Sequence, residues 1–280
     1  MPRPQYSFRK QEDLYNSLER TLTVDLIATY NLETCGADDS LATVLLDARF
    51  ESFDNIPVES GGFVVGLIQL RKLEKSPDYG TRKSDPTVRA RDVMQRLDQS
   101  ILISAGSGIL GYMDSIETAE PHDARLILQG TRVAGIVTRS DLQKLVVRTV
   151  VGVVIMHVEL LMEECIRKGY SEDEWIKRLT PGRREKLVKR QEMLKKRHLE
   201  TDLLAAAEFI DKANAVAALR NWGKPKRVAA DELGEVESFR NFLFHGRDYT
   251  ATIELQNSMI RSSKLARDWI ARIDKHLADA

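Results

Sequence analysis

The feature that most constrains the fold of this chain is a pattern that occurs twice in its first half. A helical pattern opens each copy, at residues 39–42 in the first and at residues 107–110 in the second. Two strand-like apolar segments follow in each copy: residues 56–58 and 63–68, then residues 124–128 and 133–137. Gly61 and Gly62 separate the first pair, and Gly130 separates the second. Because apolar runs around glycine predict hairpins, each copy is predicted to form a helix, a strand, a tight turn, a strand and a helix.

The second copy ends in the motif Gly-Ile-Val-Thr-Arg-Ser-Asp-Leu at residues 135–142. The repeated unit with this ending resembles a tandem pair of CBS domains, the Bateman module. The resemblance implies an α+β fold of two βαββα repeats over residues 21–146, after an N-terminal extension of residues 1–20. It also implies a cleft that binds an adenine nucleotide (AMP, ATP or a related compound) as a regulatory ligand. The first copy has Gln69 in place of the threonine and Lys72 in place of the aspartate, so at most one cleft is well supported.

Binding an adenine nucleotide requires an apolar slot for the base, a carboxylate for the ribose hydroxyls and donors for the phosphate. On the CBS resemblance, Asp141 binds the ribose, Thr138 and free backbone amides meet the phosphate, and Arg139 adds positive charge. Gly135 belongs to the same motif. Thr138 and Asp141 also have the spacing of a helix-capping box, so the sequence leaves a purely structural role open.

From Val146 onward, long helical patterns replace the strand patterns. Residues 145–162 form the most apolar run, and the charged residues within it indicate a buried helix, with no membrane association expected. Ser171 with Glu174 predicts the start of a further helix, as does Thr180-Pro181. Two more helical patterns begin near residues 230 and 252. We therefore predict an all-α bundle over residues 147–280.

Residues 240–246, Arg-Asn-Phe-Leu-Phe-His-Gly, place a cation, an amide and an imidazole close together between apolar side chains. The pattern R-N-x-x-x-H in an all-helical half resembles the signature of HEPN domains, many of which are metal-independent endoribonucleases. The resemblance implies that Arg240, Asn241 and His245 are catalytic and that two copies of the chain form the cleft as a homodimer.

These residue types suit cleavage of RNA without a metal cofactor. His245 can act as general base or acid near neutral pH, and the guanidinium of Arg240 suits phosphate oxygens. Asn241 can orient the histidine, donate to a nonbridging oxygen or cap the helix. An arginine and a histidine near a helix C-terminus also interact favourably with the helix dipole, so a structural role stays open. The alternatives are a non-catalytic nucleotide-sensing or RNA-binding protein, and the toxin half of a two-gene system.

Basic residues are concentrated between residues 177 and 197. Such a run usually forms a solvated helix face, and it can alternatively follow RNA phosphates toward the site. The residues predicted to bind RNA are Arg183, Arg184, Lys189 and Arg190. The carboxylates of Glu159, Glu163 and Glu164 are expected to face water, with the alternative that one of them is the partner of a histidine.

The composition indicates a globular chain of about two domains. Net charge is zero overall, roughly −4 for residues 1–146 and roughly +4 for the remainder, which makes the second half the expected partner of a polyanion. The two cysteines are far apart, which argues against a disulfide scaffold. The chain starts without an apolar signal segment, so a cytoplasmic location is expected. The histidines have no metal-ligand spacing, and no metal is assigned.

Overall fold

The computed structural model describes residues 16–17, 19–120, 122–171, 173–197, 202–220, 222–244 and 252–279. The chain divides into two compact units, Met1–Val150 and Val151–Ala280. The division falls inside a long helix, Leu145–Gly169, near whose start the predicted domain boundary also lies.

The strands of the N-terminal unit form two separate sheets. The first contains β1 (Cys35–Gly36), β2 (Asn55–Ser60), β3 (Phe63–Gln69) and β4 (Gln95–Arg96), and the second contains β5 (Leu102–Ser104), β6 (Ala124–Gln129) and β7 (Arg132–Thr138). β2 with β3 and β6 with β7 form the two predicted antiparallel hairpins. β1 and β5 pair in parallel with the first strand of each hairpin. These two strands were not predicted, because two or three residues are too few to show the alternation of apolar and polar residues that marks a strand.

Glycine closes both hairpins. Gly61, Gly62 and Gly130 have positive φ values of 60°, 81° and 62°. Tight two-residue hairpin turns need this left-handed backbone, which glycine adopts without a steric penalty. The glycines that mark the turns in the sequence therefore have a direct backbone role.

Short helices complete both copies. They are α1 (Leu41–Leu46), α2 (Leu70–Glu74), α3 (Tyr79–Ser84), α4 (Ala90–Val93) and α5 (Ile109–Ser115), with 3-10 turns at Val24–Leu26, Ala48–Phe50 and Arg139–Gln143. Leu41, Ile56 and Ile68 are fully buried in the core of the first copy. Leu67 of β3 packs instead with Leu126 in the core of the second copy. Because adjacent residues of a strand point to opposite faces, β3 contributes side chains to the apolar cores of both copies.

Each hairpin is extended by the chain segment that precedes the other copy. β4 pairs with β3, and Thr29 exchanges two backbone hydrogen bonds with Ile136 of β7. A Cβ atom added to Gly66 would lie 2.6 Å from the backbone oxygen of Gln95, and one added to Gly135 would lie 2.8 Å from that of Thr29. Both glycines are therefore required for this close backbone approach.

The C-terminal half is helical. Its elements are α6 (Leu145–Gly169), α7 (Pro181–Lys196), α8 (Leu203–Ala206), α9 (Phe209–Leu219), α10 (Lys226–Phe244) and α11 (Ile253–Asp279), with a 3-10 helix at Glu174–Arg178. Thr180 accepts a hydrogen bond from the Arg183 amide, as its capping pattern predicts. The helix predicted from Ser171 is wrong in kind and in its cap, because Asp173 precedes a single 3-10 stretch. Pro181 explains its short length, since proline disfavours helical backbone in the residue before it.

α6 is a core helix. Most of its apolar residues, including Val151, Val158 and Met162, are buried, which confirms the predicted buried helix. By length and composition alone the helix is also able to cross a membrane, yet more than half of its most apolar stretch is buried inside the protein. The aromatic core of the helical unit includes Trp175 and Trp269, both almost fully buried.

The two cysteines lie in different units, and both are free and buried. Burial raises the pKa of the Cys35 thiol to about 11 and that of the Cys165 thiol to about 12. Because the thiolate is the reactive form, both side chains are inert near neutral pH while the fold is intact. Their reaction with an alkylating reagent therefore reports the unfolding of each unit separately.

Candidate functional site

The N-terminal unit places Asp141 in the middle of the 3-10 turn, Arg139–Gln143, that follows β7. Its Oδ2 atom accepts hydrogen bonds from the Thr138 amide at 2.7 Å and from the Thr138 hydroxyl at 3.1 Å. Its Oδ1 atom lies 2.8 Å from the Lys144 ammonium, and 12% of the Asp141 side chain is exposed. The capping interaction that the sequence left open is therefore present, and Lys144 joins the site.

Lys144 is a site residue that the sequence analysis missed. Its ammonium also donates to the backbone carbonyl of Ile27, and 37% of its side chain is exposed. Lys144 lies three residues after Asp141, a helical spacing at which opposite charges meet. That spacing was the available signal in the sequence.

Arg139 and Gly135 serve the fold at this position. Arg139 is buried, and its guanidinium donates to the carbonyls of Ile116 and Ala119, the latter at 3.0 Å. These contacts satisfy carbonyls that follow α5, and burial lowers the pKa of Arg139. Gly135 lacks a side chain, so the backbone of Thr29 can approach β7 closely at this position. Of the four residues predicted to bind nucleotide, Thr138 and Asp141 are the pair that the structure brings together.

Tyr112 of α5 is a second residue that the sequence did not single out. Its side chain is fully buried, and its hydroxyl has no hydrogen-bond partner among the described residues. Burial, and after it the charge of Asp141, raises the pKa of Tyr112. A tyrosine at an apolar helical position is typical of a core residue, so no sequence signal set it apart.

In the helical unit, Arg240 lies near the C-terminal end of α10 and is 35% exposed. Its Nε atom is 3.5 Å from Oε2 of Glu159 on α6. Its Nη1 atom donates to the Asn241 side-chain oxygen at 3.4 Å, and its guanidinium lies 5.7 Å from the centre of the Phe244 ring. His245 lies outside the described residues. The structure thus brings together two of the three predicted catalytic residues.

Glu159 links Arg240 to a buried lysine. The Lys212 ammonium is 2.7 Å from a carboxylate oxygen of Glu159 and 2.7 Å from one of Glu163, and only 4% of the Lys212 side chain is exposed. The expectation that these two glutamates face water is therefore wrong, since they neutralise a cation that points inward from α9. The sequence signal of this pairing was weak: a single lysine in a helix that is mostly apolar.

Glu237 lies one helical turn before Arg240 on the same side of α10. Burial raises the pKa of Glu237, with the nearby carboxylate of Glu208 acting in the same direction and the charge of Arg183 opposing it. Burial acts in this direction because it disfavours the charged form of a carboxyl group. Nothing in the sequence set Glu237 apart from the other acidic residues of α10.

The four residues predicted to bind RNA all have partners within the chain. Arg183 donates to both oxygens of Asp211, at 2.8 and 2.9 Å, and to Glu208 at 2.6 Å. Arg190 binds the same Glu208, and Lys189 pairs with Glu185 at 2.6 Å. Arg184 donates to the carbonyls of Leu179 and Lys177. The bond to Asp211 is the main cause of the raised pKa of Arg183, and the bond to Arg183 is the main cause of the lowered pKa of Glu208.

These pairs differ in exposure. Lys189 is 71% exposed and Arg190 is 41% exposed, whereas Arg183 is 26% exposed and Asp211 is almost fully buried. A cavity of about 250 Å³ lies beside them, lined mainly by α7. The outer cations are thus accessible to a polyanion, while Arg183 stabilises the start of α9.

Across the residues that the structure describes, no three His, Cys, Asp or Glu side chains are grouped closely enough to hold a metal ion.

No family model and no curated protein matches this chain. Among solved structures, a CBS-domain protein of unknown function from Thermoplasma acidophilum is 20% identical over 43% of this chain and 67% of that protein, with a TM-score of 0.37. The CBS domain of a bacterial CNNM/CorC family Mg2+ transporter in complex with ATP is 13% identical over 51% of this chain and 96% of that domain, with a TM-score of 0.37. The protein CBSX2 in complex with AMP is 18% identical over 46% of this chain and 95% of that one, with a TM-score of 0.35.

Proposed function

We propose that the N-terminal unit senses an adenine nucleotide and that Asp141 binds the ribose. The observation that carries this proposal is the Asp141 carboxylate, which two hydrogen bonds from Thr138 hold in one orientation. A carboxylate oxygen can accept more than one hydrogen bond, so both oxygens retain capacity for ribose hydroxyls. Lys144 supplies a partly exposed ammonium at the same place, and it can turn from Asp141 toward a phosphate group.

The test is isothermal titration calorimetry of the full chain with AMP and with ATP. We expect Asp141→Asn to weaken binding at least tenfold, because an amide cannot replace the charged acceptor that faces the ribose and Lys144. Asp38→Asn is the matched control, since Asp38 is 79% exposed and pairs with Arg91 on the surface. Equal affinities of the Asp141 and Asp38 variants would reject the assignment of the ribose site.

For the helical unit we propose a second activity, metal-independent endoribonuclease cleavage at a homodimeric site that nucleotide binding regulates. The observation that favours it is the accessible end of α10, where Arg240 and Asn241 lie beside an exposed apolar surface. Met156, Leu160 and Phe244 are 49%, 50% and 56% exposed. Met156 and Leu160 lie one turn apart on α6, and a Cβ atom added to Gly152, one turn before Met156, would lie 3.6 Å from the Phe244 ring. A second copy of the chain would cover these side chains and bring a second Arg240 toward the first.

Regulation would require that the nucleotide bind two arrangements of the protein with different affinities. The turn that contains Asp141 is followed, after Lys144, directly by α6. α6 also carries Glu159, the partner of Arg240. Chain connectivity therefore offers a route from the ligand to the catalytic arginine.

The nuclease proposal is tested by incubating the full chain with single-stranded RNA and a metal chelator. We expect the Arg240→Ala, His245→Ala double variant to lose at least 100-fold in cleavage rate, since general acid–base catalysis contributes roughly 10²–10⁴-fold. Arg227→Ala is the control, because Arg227 lies on the same helix and is 93% exposed. RNA that is bound but never cut by the unmodified chain would favour the non-catalytic alternative.

A further inference from the structure

The two copies of the N-terminal unit correspond position by position at the ends of their hairpins. Asn55 pairs with Gln69 in the first hairpin, and Ala124 pairs with Thr138 in the second. Gln69 therefore corresponds to Thr138, and Lys72, three residues later, corresponds to Asp141. The position that carries a carboxylate in the second copy carries an ammonium in the first.

The ammonium of Lys72 binds a carboxylate from the other copy. Its Nζ atom lies 2.8 Å from Oδ1 of Asp123, whose side chain is 13% exposed. The amide of Gln69, a buried residue, donates to the same oxygen at 3.4 Å. Asp123 immediately precedes β6, so this contact joins the hairpin end of the first copy to the hairpin start of the second.

Further contacts hold the neighbouring residues of the second copy in place. His122 Nδ1 is 2.9 Å from Oδ2 of Asp54, and the other oxygen of Asp54 accepts a hydrogen bond from Arg71 Nε at 3.1 Å. The side-chain amide of Asn55 donates to the backbone carbonyl of His122 at 2.8 Å. These bonds to its neighbour His122 help to hold Asp123 against Lys72.

Little space remains at this position. The cavity lined by Gln69, Lys72 and Asp123 has a volume of about 20 Å³, which is room for roughly one water molecule. Pockets for small organic ligands are on the order of 300 Å³ or larger. An ammonium also cannot accept hydrogen bonds from ribose hydroxyls, so both the space and the donor chemistry disfavour a nucleoside.

We propose that the first cleft is closed by the chain's own carboxylate, Asp123, and takes no ligand. Lys72 and Gln69 are the residues that determine this selectivity. If the second copy binds a nucleotide at Asp141, as proposed above, the chain binds one nucleotide in total. This stoichiometry rests on the proposed site at Asp141. Closure itself is independent of that site and can be measured without any nucleotide.

Closure is tested by thermal unfolding of the full chain, followed through the labelling of Cys35. Lys72→Met and Asp123→Asn should each lower the midpoint by about 2–4 °C, and the double variant should lose no more than one single variant does. Lys75→Met with Glu120→Gln is the matched control, a pair at 3.2 Å whose side chains are 69% and 60% exposed. Losses that simply add for Lys72 and Asp123 would overturn the proposal.

Calorimetry with AMP and with ATP provides the second measurement. A stoichiometry of about one, with an affinity that falls at least tenfold in Asp141→Asn, supports the closed first cleft. A stoichiometry of about two, or an affinity that is unchanged in Asp141→Asn, overturns it. Absence of nucleotide binding together with non-additive unfolding would reject the nucleotide site at Asp141 while supporting closure by Asp123.

Discussion

Replacing Lys212 with methionine is expected to lower the free energy of unfolding of the helical unit by about 3–5 kcal/mol. Methionine keeps most of the volume but removes the ammonium that lies 2.7 Å from both Glu159 and Glu163. The two carboxylates are only 19% and 24% exposed, so water compensates poorly for the lost partner. Urea unfolding followed by tryptophan fluorescence measures this unit selectively, because all three tryptophans, Trp175, Trp222 and Trp269, lie within it.

Lys189→Met is the matched control for this change. Lys189 and Glu185 are 71% and 67% exposed and lie 2.6 Å apart, and exposed pairs contribute only about 0.2–1 kcal/mol. A Lys212 variant that is no less stable than the Lys189 variant would show that the ammonium of Lys212 is not needed to neutralise the two glutamates in the folded state. The same measurement on Arg240→Ala separates the contribution of the second cation near Glu159.

Replacing Gly135 with alanine is expected to destabilise the N-terminal unit by about 2–3 kcal/mol, the upper range for overpacking. The added methyl group would lie 2.8 Å from the Thr29 backbone oxygen and 3.3 Å from the Tyr30 ring. Backbone atoms that are hydrogen-bonded to Ile136 cannot move aside without breaking those bonds. The midpoint of Cys35 labelling in increasing urea measures the loss.

Gly111→Ala is the matched control, because Gly111 lies within α5 and a Cβ atom there meets nothing within 4 Å. Alanine is favoured over glycine inside a helix by up to about 1 kcal/mol, so this variant should be as stable as the unmodified chain or more stable. Equal effects of the two substitutions would mean that the backbone at Thr29 moves aside for the methyl group at Gly135 without a loss of stability.

Several features of the fold could be predicted from local sequence alone. The two hairpins follow from apolar runs around Gly61, Gly62 and Gly130, because left-handed turns need glycine wherever they occur. The cap at Thr180 and the long apolar helix were also predicted, because both depend on residues that are close in the chain.

The candidate sites were only partly predictable. The motif around Asp141 was identified with its capping contact, but the burial of Arg139 was not, because its carbonyl partners follow α5 some twenty residues earlier in the chain. Likewise, the basic character of α7 was evident, while the pairing of Arg183 with Asp211 depended on where α9 packs. Long-range pairs leave no periodic trace in a single sequence.

The amino-acid sequence by itself determined the repeat, its hairpins and the change to helices near residue 146, since these follow from periodicity and from the backbone preferences of single residues. Tertiary packing alone decided which charges that are distant in the chain neutralise one another. It placed Lys212 between two glutamates and Asp123 against Lys72. The physical reason is that the energy of a charge depends on its burial and on the distance to its partner, and both are set only when distant segments meet.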